Sequence, residues 1–165
     1  MSNRIMNATF ATVLSCGAAT AAIAQSAGDQ ERAVAATNAY FEARAQADFE
    51  TAYGFVSPDL AGFLPRPMAE SQWGEQHAAG VDFRSLQITG GAWYQDPEGL
   101  PPGLYAAVEF AGESEQVPVT CGFLVWHMAS DQPQLNRIEL NLIDRATYDQ
   151  IPAAQLPDLI AQLGC

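Results

Sequence analysis

Lysine is absent from this chain: all seven basic residues among its 165 are arginine. That excludes every mechanism that needs a lysine, including Schiff-base chemistry and the phosphate-binding P-loop. Histidine is nearly as scarce, with only His77 and His127 present. No His-x-x-x-His or Cys-x-x-Cys pair supplies close-spaced ligands, which argues against zinc. No Gly-x-Ser-x-Gly elbow occurs either, so a Ser-His-acid triad lacks its usual nucleophile turn. Ser57 reads as a helix cap before Pro58. Positive charge is short overall, seven basic residues against 19 acidic ones, for a net charge of −12. Such a surface repels nucleic acid and anionic membranes. No internal repeat or low-complexity run breaks the chain. The residue patterns assign no catalytic residue, no metal and no cofactor.

What is present begins with a leader. Arg4 gives a positive start, Ile5 to Ser15 a short apolar stretch, and Ala22-Ile23-Ala24 a small-x-small cleavage pattern. Asn7 and Thr9 interrupt the apolar part, which is too short to span a bilayer. Residues 1–24 therefore read as a signal peptide. The rival is a lipoprotein leader acylated at Cys16, but Leu14 fits such a box poorly. Beyond Ala24 the chain keeps six of its seven basic residues and all 19 acidic ones. Export places it in a periplasmic or secreted, oxidising setting, where Cys121 and Cys165 are expected to pair. The loop so closed has a sequence separation of 44, worth up to about 4 kcal/mol in the chain-entropy account. The alternative is a buried free thiol at Cys121 and a frayed terminal one.

Residues 25–30 read as a polar tether and residues 31–144 as one α+β domain. Glu31 to Ala47 has a helical stripe at Val34, Thr37, Phe41 and Ala45, with Tyr40 beside it. Asp48 caps a short helix carrying Phe49, Ala52, Tyr53 and Val56. Ser57-Pro58 restarts the chain, and Phe63-Leu64-Pro65 ends that turn. Met68 to Ala79 makes a further helix with Ala69, Trp73 and Gln76 on one side and Gly80 as its stop. From Phe83 the period becomes two, with Leu86 and Ile88 alternating with polar neighbours and a bulge expected at Gly90-Gly91. After a turn cluster at residues 96–102 comes a hairpin, Gly103 to His127. Its second arm is apolar on both faces, which marks a central, doubly covered strand. Leu135 to Ile143 gives the last strand. Residues 145–165 read as a helical tail, with Thr147 capping one turn and Pro157 to Leu163 forming another. The disulfide would tie this tail to the sheet face opposite the N-terminal helices.

Three N-terminal helices followed by a four-stranded antiparallel meander is the order of the NTF2-like and cystatin-like α+β roll. More narrowly, the chain resembles an uncharacterised family of small exported bacterial proteins with this arrangement. The matching pieces are Ala36 to Tyr53, Gln72-Trp73, and Leu100-Pro101-Pro102-Gly103-Leu104-Tyr105 leading into Val108-Glu109-Phe110. The last strand departs from the pattern, with Asn136-Arg137-Ile138 where a Trp-Arg-Val type ending is expected. The resemblance covers residues 31–144 and implies a fold but no activity.

A roll of this kind places its cavity between the curved sheet and the helices. The polar and aromatic residues able to reach it are Tyr53, Trp73, Trp93, Tyr105, Glu109, Trp126, His127 and Glu139, with Asp48 nearby. Three functions are compatible with them. The first is a non-catalytic exported domain binding a small apolar ligand or a protein partner. The second is a cavity enzyme of the isomerase or dehydratase type, with Glu109, Glu139 or Asp48 as base and Tyr53 or Tyr105 as hydrogen-bond donor. The third is a structural envelope component. Against the second, each glutamate sits on the more polar face of its strand. The turn residues Asp96, Glu98, Glu113 and Glu115 lack the spacing of a calcium loop and read as charged turns that blunt sheet edges.

Overall fold

The computed structural model describes residues 26–165. The leader expected over residues 1–24, and Cys16 within it, lie outside the described residues. Four helices precede a four-stranded antiparallel sheet, and two short helices follow it. This makes the chain α+β. Among the described residues no helix is long and apolar enough to cross a membrane.

Helix α1 spans Ala27–Ala45. Ser26 fixes its start, the side-chain oxygen accepting the Asp29 amide at 3.0 Å, and Asp29 pairs with Arg32 at 2.6 Å. Residues 27–30, expected as a tether, are therefore its first turn, because the cap and the acidic first turn satisfy the free amides there. The buried stripe also differs from the expected one. Ala33, Ala36, Thr37, Tyr40, Phe41, Ala43 and Arg44 are buried, whereas Val34 and Ala45 are only half-buried. Ala33, Ala36 and Ala43 are small enough to let the helix lie close against its neighbours, with Thr37, Tyr40, Phe41 and Arg44 on the same side.

Ala47 adopts a positive φ of 56° and turns the chain into α2, Phe49–Tyr53, where the Asp48 carboxylate accepts the Thr51 amide at 3.0 Å. The turn expected after Ser57 is a helix of its own, α3, Pro58–Phe63, capped by Ser57 and opened by proline. It brings the N-terminal helices to four, one more than the three expected. Helix α4, Arg66–Ala78, buries Ala69 and Trp73. It stops ahead of Gly80, whose φ of 84° suits glycine.

The strands are β1 Gln87–Gln95, β2 Leu104–Gly112, β3 Val119–His127 and β4 Gln134–Ile143, adjacent in chain order. The bulge expected at Gly90-Gly91 lies just ahead of that pair, between Ile88 and Gly90. Pairing of Ala106 with Trp126 and of Val108 with Leu124 sets the inner face. It carries Ala106, Val108, Phe110, Leu124 and Trp126, with half-buried Trp93, Ile138 and Leu140 packed beside them. Thr37 fastens α1 to this face: its hydroxyl accepts the Trp126 indole N–H at 2.9 Å and donates to the Ala33 carbonyl at 2.9 Å. Edge-on aromatic contacts join Tyr40 to Trp73 and Trp126, Phe55 to Trp126, and Phe41 to Phe110.

The opposite face carries Tyr105, Glu109, Cys121, Phe123, Val125, Glu139 and Asn141 by the same registers. Cys121 and Cys165 form a disulfide with their Cα atoms 5.5 Å apart, and the Asn141 amide donates to the Leu163 carbonyl at 3.0 Å. The chain end, including α6, Leu156–Gln162, is thereby tied to the face away from α1–α4. The turn before it, α5, Arg145–Tyr148, is capped by Asp144 rather than by Thr147, which instead supplies the capped amide at 2.7 Å.

Candidate functional site

The interior between helices and sheet is mostly filled by rings, but a cleft of about 310 Å³ remains beside β4. Its lining comes from Leu60 on α3, Leu64 just beyond it, Gln72, Trp73 and Gln76 on α4, Ile138 and Leu140 on β4, and Arg44 on α1. The chain places α3 here for a local reason. Between α2 and α3 the backbone bridges to β4, with the Ser57 amide donating to the Leu135 carbonyl at 2.9 Å and the Leu135 amide to the Phe55 carbonyl at 2.7 Å. Ser57 Oγ adds a bond to the Asn136 side chain at 3.1 Å. Leu60 and Leu64 are held opposite Ile138 and Leu140 as a result, all four half-buried.

Arg44 is the unusual member. It is 2 % exposed, and its guanidinium lies between rings, with Cζ 4.2 Å from the Phe83 centroid, 4.6 Å from that of Trp73 and 5.6 Å from that of Tyr40. It donates to the Tyr40 hydroxyl at 2.7 Å and to Gln76 Oε1 at 2.5 Å. Its Nε is closed off from solvent and has no hydrogen-bond partner among the described residues. Burial pulls the Arg44 pKa below the ordinary arginine value, partly offset by the Tyr40 phenol. Burial likewise pushes Tyr40 up. The phenol thus stays neutral and accepts from a guanidinium that lacks a counter-charge. The ring faces and the negative end of the α1 dipole supply part of the compensation.

The other described arginines behave differently. Arg32 pairs with Asp29, Arg66 with Glu70 and Glu50, Arg84 with Glu42, Arg137 with Glu139, and Arg145 with Asp149. All five stand at or near the surface. Arg44 has no carboxylate partner among the described residues, although acidic residues outnumber basic ones 19 to seven in the chain.

The residues singled out from the sequence do not converge. Trp73 lines the cleft. Tyr53 lies behind it, its ring 6.2 Å from that of Trp73 and its hydroxyl donating to the Leu64 carbonyl at 3.1 Å. Trp126 is fully buried in the core beneath. Trp93 lies elsewhere, in a groove of about 440 Å³ between α1 and β1. That groove is the roomier of the two, but its lining side chains carry no charge, so the cleft at Arg44 is the stronger candidate. Tyr105 and His127 stack on the outer face, 4.4 Å apart and nearly parallel. The Tyr105 hydroxyl donates to the Pro101 carbonyl at 2.9 Å.

Glu109 and Glu139 share that outer face but flank Phe123 on separate strands, and Glu139 is bound to Arg137 at 2.9 Å. Asp48 is spent on the α2 cap, where the Thr51 amide holds its carboxyl below the usual aspartate range. Both candidate tyrosine donors are thus committed to backbone carbonyls, and the two candidate glutamates lie across the sheet from the cleft.

Arg44, Gln72, Leu60, Leu64, Ile138 and Leu140 were not singled out as site residues by the sequence reading. One signal for Arg44 was available: it follows Tyr40 by one helical turn, so it continues the apolar stripe where a solvated charge does not belong. No family model, curated protein or solved structure matches the chain.

Proposed function

We propose that this protein is an exported, non-catalytic binding domain, built as an NTF2-like roll, that takes a small apolar ligand into the cleft between α3, α4 and β4. The observation that carries this reading is the cleft itself: about 310 Å³ lined by Leu60, Leu64, Trp73, Ile138 and Leu140, with Arg44, Gln72 and Gln76 as its polar members. Half-buried aliphatic walls around a space of that size suit burial of an apolar ligand. Helices followed by a four-stranded antiparallel meander support the roll, with one N-terminal helix more than the three expected of it. The leader expected from the sequence over residues 1–24 and the Cys121–Cys165 bond support a periplasmic or secreted setting. The isomerase or dehydratase reading loses its support, since it needs a carboxylate and a tyrosine hydroxyl converging in one pocket.

Native mass spectrometry of the protein purified from its own compartment tests the proposal. A retained small molecule is expected, and Leu64→Trp, which fills the cleft, should abolish it. A ligand-free protein that no small apolar compound stabilises against heat would overturn the proposal and favour a structural envelope component.

A further inference from the structure

We infer that the ligand of this cleft is an amphipathic monocarboxylate, its head group neutralising Arg44 and its tail lying among Leu60, Leu64, Ile138 and Leu140. The inference rests on the cleft being a ligand site and adds the chemical class of the occupant. Three observations carry it. The lining of the cleft contains one cation and no acid. The cation is 98 % buried by its 2 % exposure, so water screens it poorly. Among the described residues no carboxylate pairs with it.

A guanidinium has five N–H donors, and the bonds to Tyr40 and Gln76 use two of them. An uncompensated buried charge is costly, and a carboxylate brings the missing charge while accepting from the N–H groups left on the terminal nitrogens, Nε being closed off from it. A single guanidinium matches a single negative charge. A phosphate dianion would bring a second charge to a chain whose net charge is already −12 without a second cation in the cleft to meet it. Gln72, at the exposed rim, and Gln76, beside Arg44, add neutral polar groups. The opposing walls are apolar, which asks for a tail rather than a second head group. The five other described arginines each hold a carboxylate of this chain, and Arg44 is placed to hold one from outside.

Isothermal titration at neutral pH with octanoate and octan-1-ol, which share a tail and differ in the head, tests the inference on the disulfide-bonded protein. Octanoate should bind at least about tenfold more tightly, the ratio expected of a hydrogen-bonded charge. Arg44→Gln should remove that preference while octan-1-ol still binds. Leu64→Trp, which leaves Arg44 in place, should lose both ligands. Octan-1-ol binding as tightly as octanoate to the native protein would overturn the anionic head and leave the apolar cleft standing. Failure of both to bind would overturn the cleft reading as well. Unchanged octanoate binding in Leu64→Trp would place the carboxylate elsewhere and overturn the inference. If Arg44→Gln does not fold, the two ligands on the native protein and on Leu64→Trp still decide the matter.

Discussion

The two faces of the sheet share four strands and are closed by different means. On the inner face, Trp126, Leu124, Val108 and Phe110 pack against helices through rings and alanines, with Thr37 as the polar pin. On the outer face a covalent bond and a side-chain amide hold the chain end over Cys121 and Asn141, while Glu109 and Arg137 stay exposed. The inner face is dry enough to make one buried charge consequential. The outer face keeps its charges in water, where an ion pair such as Arg137–Glu139 is worth little. Stability is distributed over both faces, whereas the cleft proposed as a ligand site lies on the inner one.

The largest test of that contrast is Trp126→Ala. It removes a fully buried indole and the bond to Thr37, and denaturant unfolding should show a loss of about 3–5 kcal/mol. Replacing both Cys121 and Cys165 by serine should cost up to about 4 kcal/mol and leave octanoate affinity unchanged, because the bond lies across the sheet from the cleft. Intact mass with and without reductant should differ by two hydrogens in the native protein. Arg44→Met comes third. It should cost less stability than Trp126→Ala, since the desolvation of the charge disappears with its contacts, and a thermal melt would show the smaller shift.

Acid titration gives a weaker effect. The Thr51 and Thr147 amides hold Asp48 and Asp144 below the ordinary aspartate range. Their contribution is therefore present above about pH 4 and lost as pH falls through the depressed folded values. Asp48→Asn and Asp144→Asn, which retain a capping oxygen, should flatten the acid limb of a melting-temperature profile. Smallest of all, Glu109→Gln and Glu139→Gln should leave ligand affinity unchanged by titration calorimetry. A loss there would move the site to the outer face and reverse the comparison.

The outer face was the more legible of the two in the sequence. Period-two alternation through Val119, Cys121, Phe123 and Val125 against Leu124 and Trp126 announces a strand covered on both sides. Two cysteines beyond the expected leader suggest a pair. A bulge beside the Gly90-Gly91 pair was likewise readable from local chemistry, although it falls just ahead of it, between Ile88 and Gly90. The inner cleft was not, because it depends on distances the chain order hides: Gln76 lies 32 residues from Arg44, and Leu60 is brought to β4 by the bridge between Val56 and Leu135 and the Ser57 bonds beside it. Helix phase was the other obstacle. In an alanine-rich helix, Val34 and Ala45 look like the core side on hydrophobicity. Close packing against the helix's neighbours instead selects Ala33, Ala36 and Ala43, and that shift carries Arg44 inward.

The central claim is that ligand binding belongs to the inner face. Mapping amide and methyl chemical-shift changes on addition of octanoate tests it most directly. The account predicts that Leu60, Leu64, Gln72, Gln76, Ile138 and Leu140 shift while Tyr94, Glu109, Val125 and Arg137 stay in place. Saturable shifts confined to the outer-face residues would contradict it.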